Sequence, residues 1–205
     1  PKYPEFPTLP NGGKGTPVGY TGLVWNGYRP SDDVCDYVYL IPSNMFAVVV
    51  LRWLAAHATQ TGTVSQKARI EQLCLQIEKG LDAFAVVQHP EFGPVYAYET
   101  DGLGHYNLMD DANVPSLLSL PYLGFCAKDD PVYLNTRRFI LSKENPYYYS
   151  GSAACGVGSP HTPDRYIWHI GIIMQLLTST DAAERKKCFS MLLETDAGCN
   201  VMHEG

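Results

Sequence analysis

The chain has 205 residues, of which 45% are hydrophobic and 18% charged, a composition typical of a globular domain with a substantial core. Fifteen basic residues stand against 21 acidic ones, a net charge of -6, and no basic patch occurs, which argues against a nucleic-acid partner. The longest apolar run, Met45 to Ala56, contains Arg52 and is shorter than the roughly 20 residues that cross a bilayer, so we expect a core helix and no membrane contact.

A polar and aromatic stretch, Tyr28 to Ala47, dominates the first quarter of the chain after an extended loop rich in proline and glycine. It holds the carboxylates of Asp32, Asp33 and Asp36 beside Arg29, and it leads into an apolar helix. A loop that concentrates acids beside aromatic rings and joins a rigid helix can present a catalytic carboxylate. An Asx-turn at the start of a helix is the alternative interpretation.

Two helices are predicted next. The first runs from about Asn44 to Ala58, with Ser43 or Asn44 as its cap, and is apolar nearly all round, so we expect it to be buried on every side. The second begins at Ser65 and has an apolar stripe along one face. Its end is open, because Lys79-Gly80 resembles a stop signal while the residues after it are apolar enough to continue the helix.

The second half of the chain alternates short elements with long loops. The patterns predict a strand over 95–100, a short helix over 112–120 ended by Pro121, a helix from Asp130-Pro131 to about Leu141, a loop over 145–162, a helix from Tyr166 to Leu177, and a last helix that follows a capping box at Asp181–Glu184. Apolar helices therefore alternate with amphipathic ones, which inner and outer helices arranged in pairs would explain.

The six cysteines lie far apart, without a CxxC pair. We interpret them as buried thiols, although their even number also permits disulfides. A metal is a rival use of the histidines and acids, but no pair has a recurring ligand spacing such as HExxH, so we predict no metal and no cofactor. The residues considered for such a site are His105, Asp110, Asp111, His161, His169 and His203.

Acidic groups recur in three loop stretches, at Asp32-Asp33, Asp110-Asp111 and His203-Glu204. Two carboxylates facing each other across an aromatic-walled pocket are the apparatus of glycoside hydrolysis. The 14 tyrosines and three tryptophans support a sugar ligand, because aromatic rings stack on the apolar faces of a pyranose. A helix cap is the alternative use of Asp110 or Asp111. A serine nucleophile is not indicated, since the Gly-x-Ser-x-Gly pattern is absent.

Five motifs, in order along the chain, resemble those of glycoside hydrolase family 125. They are Arg29-Pro30-Ser31-Asp32-Asp33, Ile41-Pro42-Ser43-Asn44-Met45-Phe46-Ala47-Val48, Met109-Asp110-Asp111-Ala112-Asn113-Val114-Pro115-Ser116-Leu117-Leu118, Gly158-Ser159-Pro160-His161-Thr162-Pro163 and His203-Glu204. The resemblance implies an all-α fold, the (α/α)6 toroid, and a metal-independent, inverting exo-α-1,6-mannosidase that acts on mannose-containing oligosaccharides or N-glycans.

The resemblance also implies the roles of residues. The general acid falls on Asp32 or Asp33, with Asp33 favoured by analogy to similar toroid glycosidases, and the general base falls on Glu204. Substrate contacts are expected from Arg29, Asn44, Asp110, Asp111, Asn113, His161 and Arg165.

Family members are about twice as long as this chain, so residues 1–205 are expected to form a single catalytic-domain fragment, the C-terminal part of a toroid. The missing remainder of the same polypeptide would then be a partner. Three alternatives stay open: another toroid glycosidase acting on a glucoside or a different mannoside, a sugar-binding fragment without catalysis, and a helical interaction module.

Overall fold

A computed structural model of the chain describes residues 9–61 and 64–202. The prediction of a mostly helical chain is confirmed, and three small antiparallel sheets accompany the helices, which a purely α class does not include. Within the described ranges the helices are α1 Pro10–Gly13, α2 Ile41–Gln60, α3 Val64–Phe84, α4 Leu120–Leu123, α5 Pro131–Ile140, α6 His169–Thr178 and α7 Ala182–Glu194.

Helix α2 begins at Ile41, three residues before the predicted start, because Pro42 occupies its first turn and does not end the preceding segment. The N-terminal half lies in the core, where Met45 and Val48 are almost fully buried. The C-terminal half leaves Trp53 63% exposed, so the expectation of burial on every side is wrong there. At 20 residues α2 is long and apolar enough to cross a membrane, but a core helix meets the same criteria.

Helix α3 packs along α2 and continues past Gly80 to Phe84, which answers the open question of its end. A glycine is needed at this point because the loop Thr21–Leu23 crosses the helix closely. A Cβ atom on Gly80 would lie 2.6 Å from the carbonyl oxygen of Thr21 and 2.8 Å from Leu23 Cδ2. The glycine therefore marks a close contact and not a helix end.

The strands form one three-stranded sheet and two hairpins. The sheet has the order β1-β4-β5, and its central strand β4 contains Glu99, which pairs with Leu40 and Asn107. The predicted strand over 95–100 is divided between β3 and β4, and the predicted loop over 145–162 contains the last hairpin. The strands are β1 Tyr39–Leu40, β2 Val86–His89, β3 Gly93–Tyr96, β4 Glu99–Thr100, β5 Tyr106–Asn107, β6 Tyr148–Ser150 and β7 Cys155–Val157.

The short helix predicted over 112–120 is wrong. The carboxylate of Asp110 accepts hydrogen bonds from the backbone N–H groups of Leu117 (2.8 Å) and Leu118 (2.9 Å), which folds the segment into a loop. Helix α4 starts only at Leu120, with Pro121 inside its first turn. Proline suits that position because the N–H it lacks would have no partner inside the helix.

The last three helices lie close to their predicted positions. Asp130 caps α5 by accepting a hydrogen bond from the N–H of Tyr133 at 2.8 Å, and Asp181 caps α7 through the N–H of Ala183 at 2.9 Å. Glu184 does not complete the predicted capping box, because its carboxylate binds Ser179, Gln175 and Arg137. Helix α6 begins at His169, three residues later than predicted, and packs against α7.

One main hydrophobic cluster joins the N-terminal half of α2 to α3, the three-stranded sheet and α5. A smaller cluster of Ile172, Cys188 and Met191 lies between α6 and α7. All six cysteines are free thiols; Cys35, Cys74 and Cys188 are buried, as expected, and Cys199 is exposed.

Candidate active site

The acid loop, residues 29–37, is a tight turn that projects two aspartates from its tip. The backbone N–H of Arg29 donates to the carbonyl of Asp33 at 2.8 Å, and the N–H of Asp32 donates to the carbonyl of Arg29 at 3.0 Å. A bridge between Tyr28 and Val34 closes the base of the turn. Asp32 has a φ of 67°, a left-handed conformation that aspartate tolerates better than most residues. Asp32 is exposed at the turn, whereas Asp33 is partly buried.

The Asp33 carboxylate faces a second predicted motif, at residues 158–163. Its Oδ2 atom accepts a hydrogen bond from Ser31 Oγ at 2.8 Å and lies 3.6 Å from His161 Nδ1. The Asp33 side chain keeps 26% exposure, so a ligand can still reach it. The ring of His161 meets the indole of Trp168 edge-on at 6.4 Å between centroids. Two motifs separated by more than 120 residues thus share one site.

Arg29 lies beneath the acid loop and is almost fully buried. Its Nε donates to Glu99 Oε1 at 2.6 Å and one Nη donates to Asp36 Oδ2 at 2.9 Å, while the guanidinium lies 5.8 Å from the ring centroid of Tyr98. Burial alone would lower the pKa of Arg29, but the hydrogen bond and charge of Glu99 outweigh it and raise that pKa above its usual value. The hydrogen-bonding partners of the Arg29 guanidinium in this structure are therefore two carboxylates of the protein itself.

Asp110 and Asp111 are adjacent and both fully buried, yet their surroundings differ. Both carboxyl oxygens of Asp110 accept hydrogen bonds from backbone N–H groups. Burial nevertheless raises the pKa of Asp110 to about 8, because the cost of desolvating the charge exceeds the effect of those hydrogen bonds. Asp111 Oδ1 accepts from the backbone and side-chain nitrogens of Asn113, at 3.0 and 2.8 Å. Asp111 Oδ2 has no hydrogen-bond partner among the described residues.

Two tyrosines, Tyr98 and Tyr147, lie close to these loops. The hydroxyl of Tyr98 is buried and, like Asp111 Oδ2, lacks a hydrogen-bond partner within the described ranges. Burial raises the pKa of Tyr98, and the negative charge of Asp111 raises it further. Burial also raises the pKa of Tyr147, where Arg29 opposes the shift and Asp111 and Asp33 add to it. The backbone carbonyl of Tyr147 accepts a hydrogen bond from the N–H of Gly158 at 2.8 Å, so Tyr147 lies beside the motif at residues 158–163.

The model of a family described as metal-independent alpha-mannosidase, glycoside hydrolase family 125, matches residues 2–205. The chain belongs to glycoside hydrolase family 125. The resemblance that the five motifs indicated is thereby confirmed.

Two relatives extend the comparison. The "Meiotically up-regulated gene 157 protein" of Schizosaccharomyces pombe is 47% identical over 203 residues, which are 96% of this chain and 39% of that protein. A Streptococcus pneumoniae structure, from work on metal-independent alpha mannosidases and the processing of N-linked glycans, is a non-productive complex with alpha-1,6-mannobiose. It matches with a TM-score of 0.94 and 48% identity over 96% of this chain and 47% of its own. The chain thus spans less than half the length of either relative.

The remaining predicted site residues of this family 125 chain divide into three groups. Asn44 is buried and bonds the backbone of Val24 through both its amide atoms, and that of Leu40 as well. Arg165 is exposed on the loop that follows His161. His203 and the expected base Glu204 lie outside the described residues.

In the part of the chain that the structure describes, no three His, Cys, Asp or Glu side chains lie close enough together to hold a metal ion. The sequence placed Glu99 in a segment expected to shape the pocket, Tyr98 to Asp101, but gave it no role of its own; in the structure it is fully buried beneath the acid loop. A charged residue inside the apolar stretch from Val95 to Thr100 was the available signal, because a buried charge needs partners.

Proposed function

We propose that this chain carries the general acid of an exo-acting α-mannosidase, which removes a terminal, non-reducing α-1,6-linked mannose from an oligosaccharide or N-glycan. The family's description supports a mannoside substrate, and the α-1,6-mannobiose bound to the Streptococcus pneumoniae relative supports the linkage. The observation that carries the proposal is the Asp33 carboxylate, which is partly exposed, fixed by Ser31 and directed toward His161 between two family motifs.

Asp33 is a better general acid than Asp32 on geometric grounds. Its carboxylate lies 3.6 Å from His161 Nδ1, whereas Asp32 occupies the exposed left-handed position of the turn. We assign to Asp32 the task of shaping the loop through its backbone. Asp33 then protonates the glycosidic oxygen as the bond from that oxygen to the anomeric carbon breaks.

Glu204 is proposed as the general base that completes an inverting reaction. It would take a proton from a water molecule while that water attacks the anomeric carbon from the face opposite the leaving group. Such a single displacement needs about 6.5–9.5 Å between the two carboxyl groups, so that water fits between the sugar and the base. No step in this scheme uses a metal ion, in agreement with the family's description.

The sugar would be held by polar groups around the acid. Asp111 and Tyr98 are fully buried, so the sugar would reach Asp111 Oδ2 and the Tyr98 hydroxyl, which lack partners among the described residues, through a bridging water. His161 and the exposed Arg165 lie on the same loop and would contact the outer part of the substrate. Asn113 would act by orienting Asp111, to which it donates two hydrogen bonds.

The toroid is proposed for the complete catalytic domain. The consecutive helix pairs α2 with α3 and α6 with α7 support an arrangement of inner and outer helices. The TM-score of 0.94, reached over 47% of the Streptococcus pneumoniae chain, supports residues 1–205 as one part of a larger domain of the same kind. The remainder of the polypeptide would be needed to close the ring of helices.

The proposal is tested on the full-length protein with mannobioses of defined linkage. We expect release of mannose from the α-1,6 disaccharide, much slower release from the α-1,2 and α-1,3 isomers, and β-mannose as the first product seen by NMR. Asp33→Asn and Glu204→Gln should each lower kcat by about 10²–10⁴-fold, as loss of general acid–base groups does, and EDTA should have no effect. Another linkage preference would point to a different glycosidase, and binding without turnover would point to a sugar-binding protein.

A further inference from the structure

Glu99 makes four hydrogen bonds although its side chain is completely inaccessible to solvent. Oε1 accepts from Arg29 Nε at 2.6 Å, and Oε2 accepts from the backbone N–H groups of Asp36 (3.1 Å) and Tyr37 (3.2 Å) and from Asn107 Nδ2 (3.2 Å). A carboxylate offers about four acceptor positions, so this one is fully used inside the protein. It is therefore not free to contact a substrate.

Three of the four donors to Glu99 lie at the two ends of the acid loop. Arg29 is the first residue of the loop, and Asp36 and Tyr37 are the last two, so a single carboxylate ties both ends together. Glu99 belongs to β4, the central strand of the three-stranded sheet, where strands on both sides hold its backbone. The loop is thereby attached to a rigid element, while its tip, which carries Asp33, is held by bonds within the turn.

We propose that Glu99 is a positioning residue for the general acid, which it serves by fixing the acid loop on the sheet; this rests on the proposed function of Asp33. A neutral glutamine would offer a single acceptor oxygen and would turn an amide N–H₂ group toward backbone donors or toward Arg29. The guanidinium of Arg29 would then be buried with only the largely exposed Asp36 as a counterion. The loop would relax, and Asp33 would move away from the glycosidic oxygen.

Two substrates separate positioning of the acid from a general structural role. In α-1,6-mannobiose the leaving oxygen needs a proton, whereas 2,4-dinitrophenyl α-mannoside has a leaving group that departs as a stable anion. We expect Glu99→Gln in the full-length protein to lower kcat/KM for mannobiose by about 10–100-fold, the size expected when a reacting group is misplaced. The aryl mannoside should lose only a few fold, and Asp33→Asn should have the same substrate pattern with a larger loss on mannobiose.

The control is Glu78→Gln, the same substitution at an exposed ion pair with Arg52, which lies away from the acid loop. It should change neither activity by more than about twofold, as expected for an exposed pair. Equal losses on both substrates for Glu99→Gln, beside the expected pattern for Asp33→Asn, would overturn the positioning role alone. Equal losses for Asp33→Asn would overturn the assignment of the acid and, with it, this inference.

A second variant, Glu99→Asp, tests whether a folding defect accounts for the loss of activity. Glu99→Asp keeps the charge that Arg29 needs but withdraws the carboxylate from the loop, so it should also lose more activity on mannobiose than on the aryl mannoside. Circular dichroism and thermal unfolding of both variants report whether they fold. If neither folded while Glu78→Gln did, Glu99 would be required for stability as a whole and the positioning role would be rejected.

Discussion

Asp110 should make the stability of this protein fall as the pH rises. Its carboxyl group is completely buried, and its pKa in the folded protein is raised to about 8 from an ordinary value of 3.8. The folded state therefore keeps a proton that the unfolded state releases above about pH 4. The stability that the protonated form contributes is fully present below that pH and is lost progressively up to about pH 8.

The size of the effect follows from the linkage between proton binding and folding. Between about pH 5 and pH 7 the unfolded chain is ionised at Asp110 and the folded one is not, so stability should fall by about 1.4 kcal/mol per pH unit. Over those two units this is roughly 3 kcal/mol, a sizeable part of the roughly 5–15 kcal/mol typical of a domain.

Urea unfolding of the full-length protein and its Asp110→Asn variant at several pH values measures this directly. The variant loses one of the two acceptors for Leu117 and Leu118, so it should be less stable at pH 5, but the difference between the two proteins should shrink toward pH 8. Titration of other groups cancels in that difference. A difference that grows with pH would refute the reasoning, because it would mean that the two backbone N–H groups stabilise an ionised Asp110.

Two further predictions concern stability alone and are read from thermal or urea unfolding. Gly80→Ala should destabilise the protein by about 1–3 kcal/mol, despite the better helix propensity of alanine, because the new Cβ would meet the Thr21 carbonyl; the adjacent exposed Lys79→Ala should stay within about 0.5 kcal/mol. Asp130→Ala should cost about 1 kcal/mol by removing the cap of α5, whereas the neighbouring exposed Asp129→Ala should have little effect. An equal loss at the two aspartates would contradict the capping argument.

The elements that the sequence predicted well are those whose signals are local. Asp130 accepts a hydrogen bond from the N–H three residues ahead, and Asp181 accepts a bond from the N–H two residues ahead. The residue pattern alone therefore identifies both helix starts. The periodicity of α3 was equally clear. Its end was not, because Gly80 serves a contact with Thr21, which is distant in the sequence and leaves no local pattern.

Errors arose where a polar side chain binds the backbone at a distance. Asn44 is not the cap of α2, which begins at Ile41; its side chain holds the backbone of Val24, 20 residues earlier, and a contact with substrate stays a prediction. Asp110 has the position of a cap for the helix predicted after it, but it binds N–H groups seven and eight residues ahead and prevents that helix. Residue type and spacing do not distinguish these uses from a cap, because the same acceptor serves each of them.

The candidate site was predictable as a set of motifs but not as an arrangement. The sequence indicated that the acid loop and the His161 loop belong together, because both carry family motifs, and the structure brings Asp33 and His161 to 3.6 Å. It did not indicate that Glu99 holds the acid loop, because Glu99 lies 70 residues from Arg29 and outside the motifs. A residue that supports a catalytic loop from a separate strand can be found only from three-dimensional contacts.

The buried polar groups around the acid loop divide into satisfied and unsatisfied ones, and the difference bears on function. Glu99 uses its carboxylate fully, whereas Asp111 Oδ2 and the Tyr98 hydroxyl are two of four buried side-chain atoms that lack a partner among the described residues. Leaving such a group unpaired costs about 1–3 kcal/mol, more if it is charged. Under the proposed function this cost would be offset in the complex, because a polyhydroxylated sugar would bring hydrogen-bonding groups, or a water that it retains, to the neighbourhood of these two atoms.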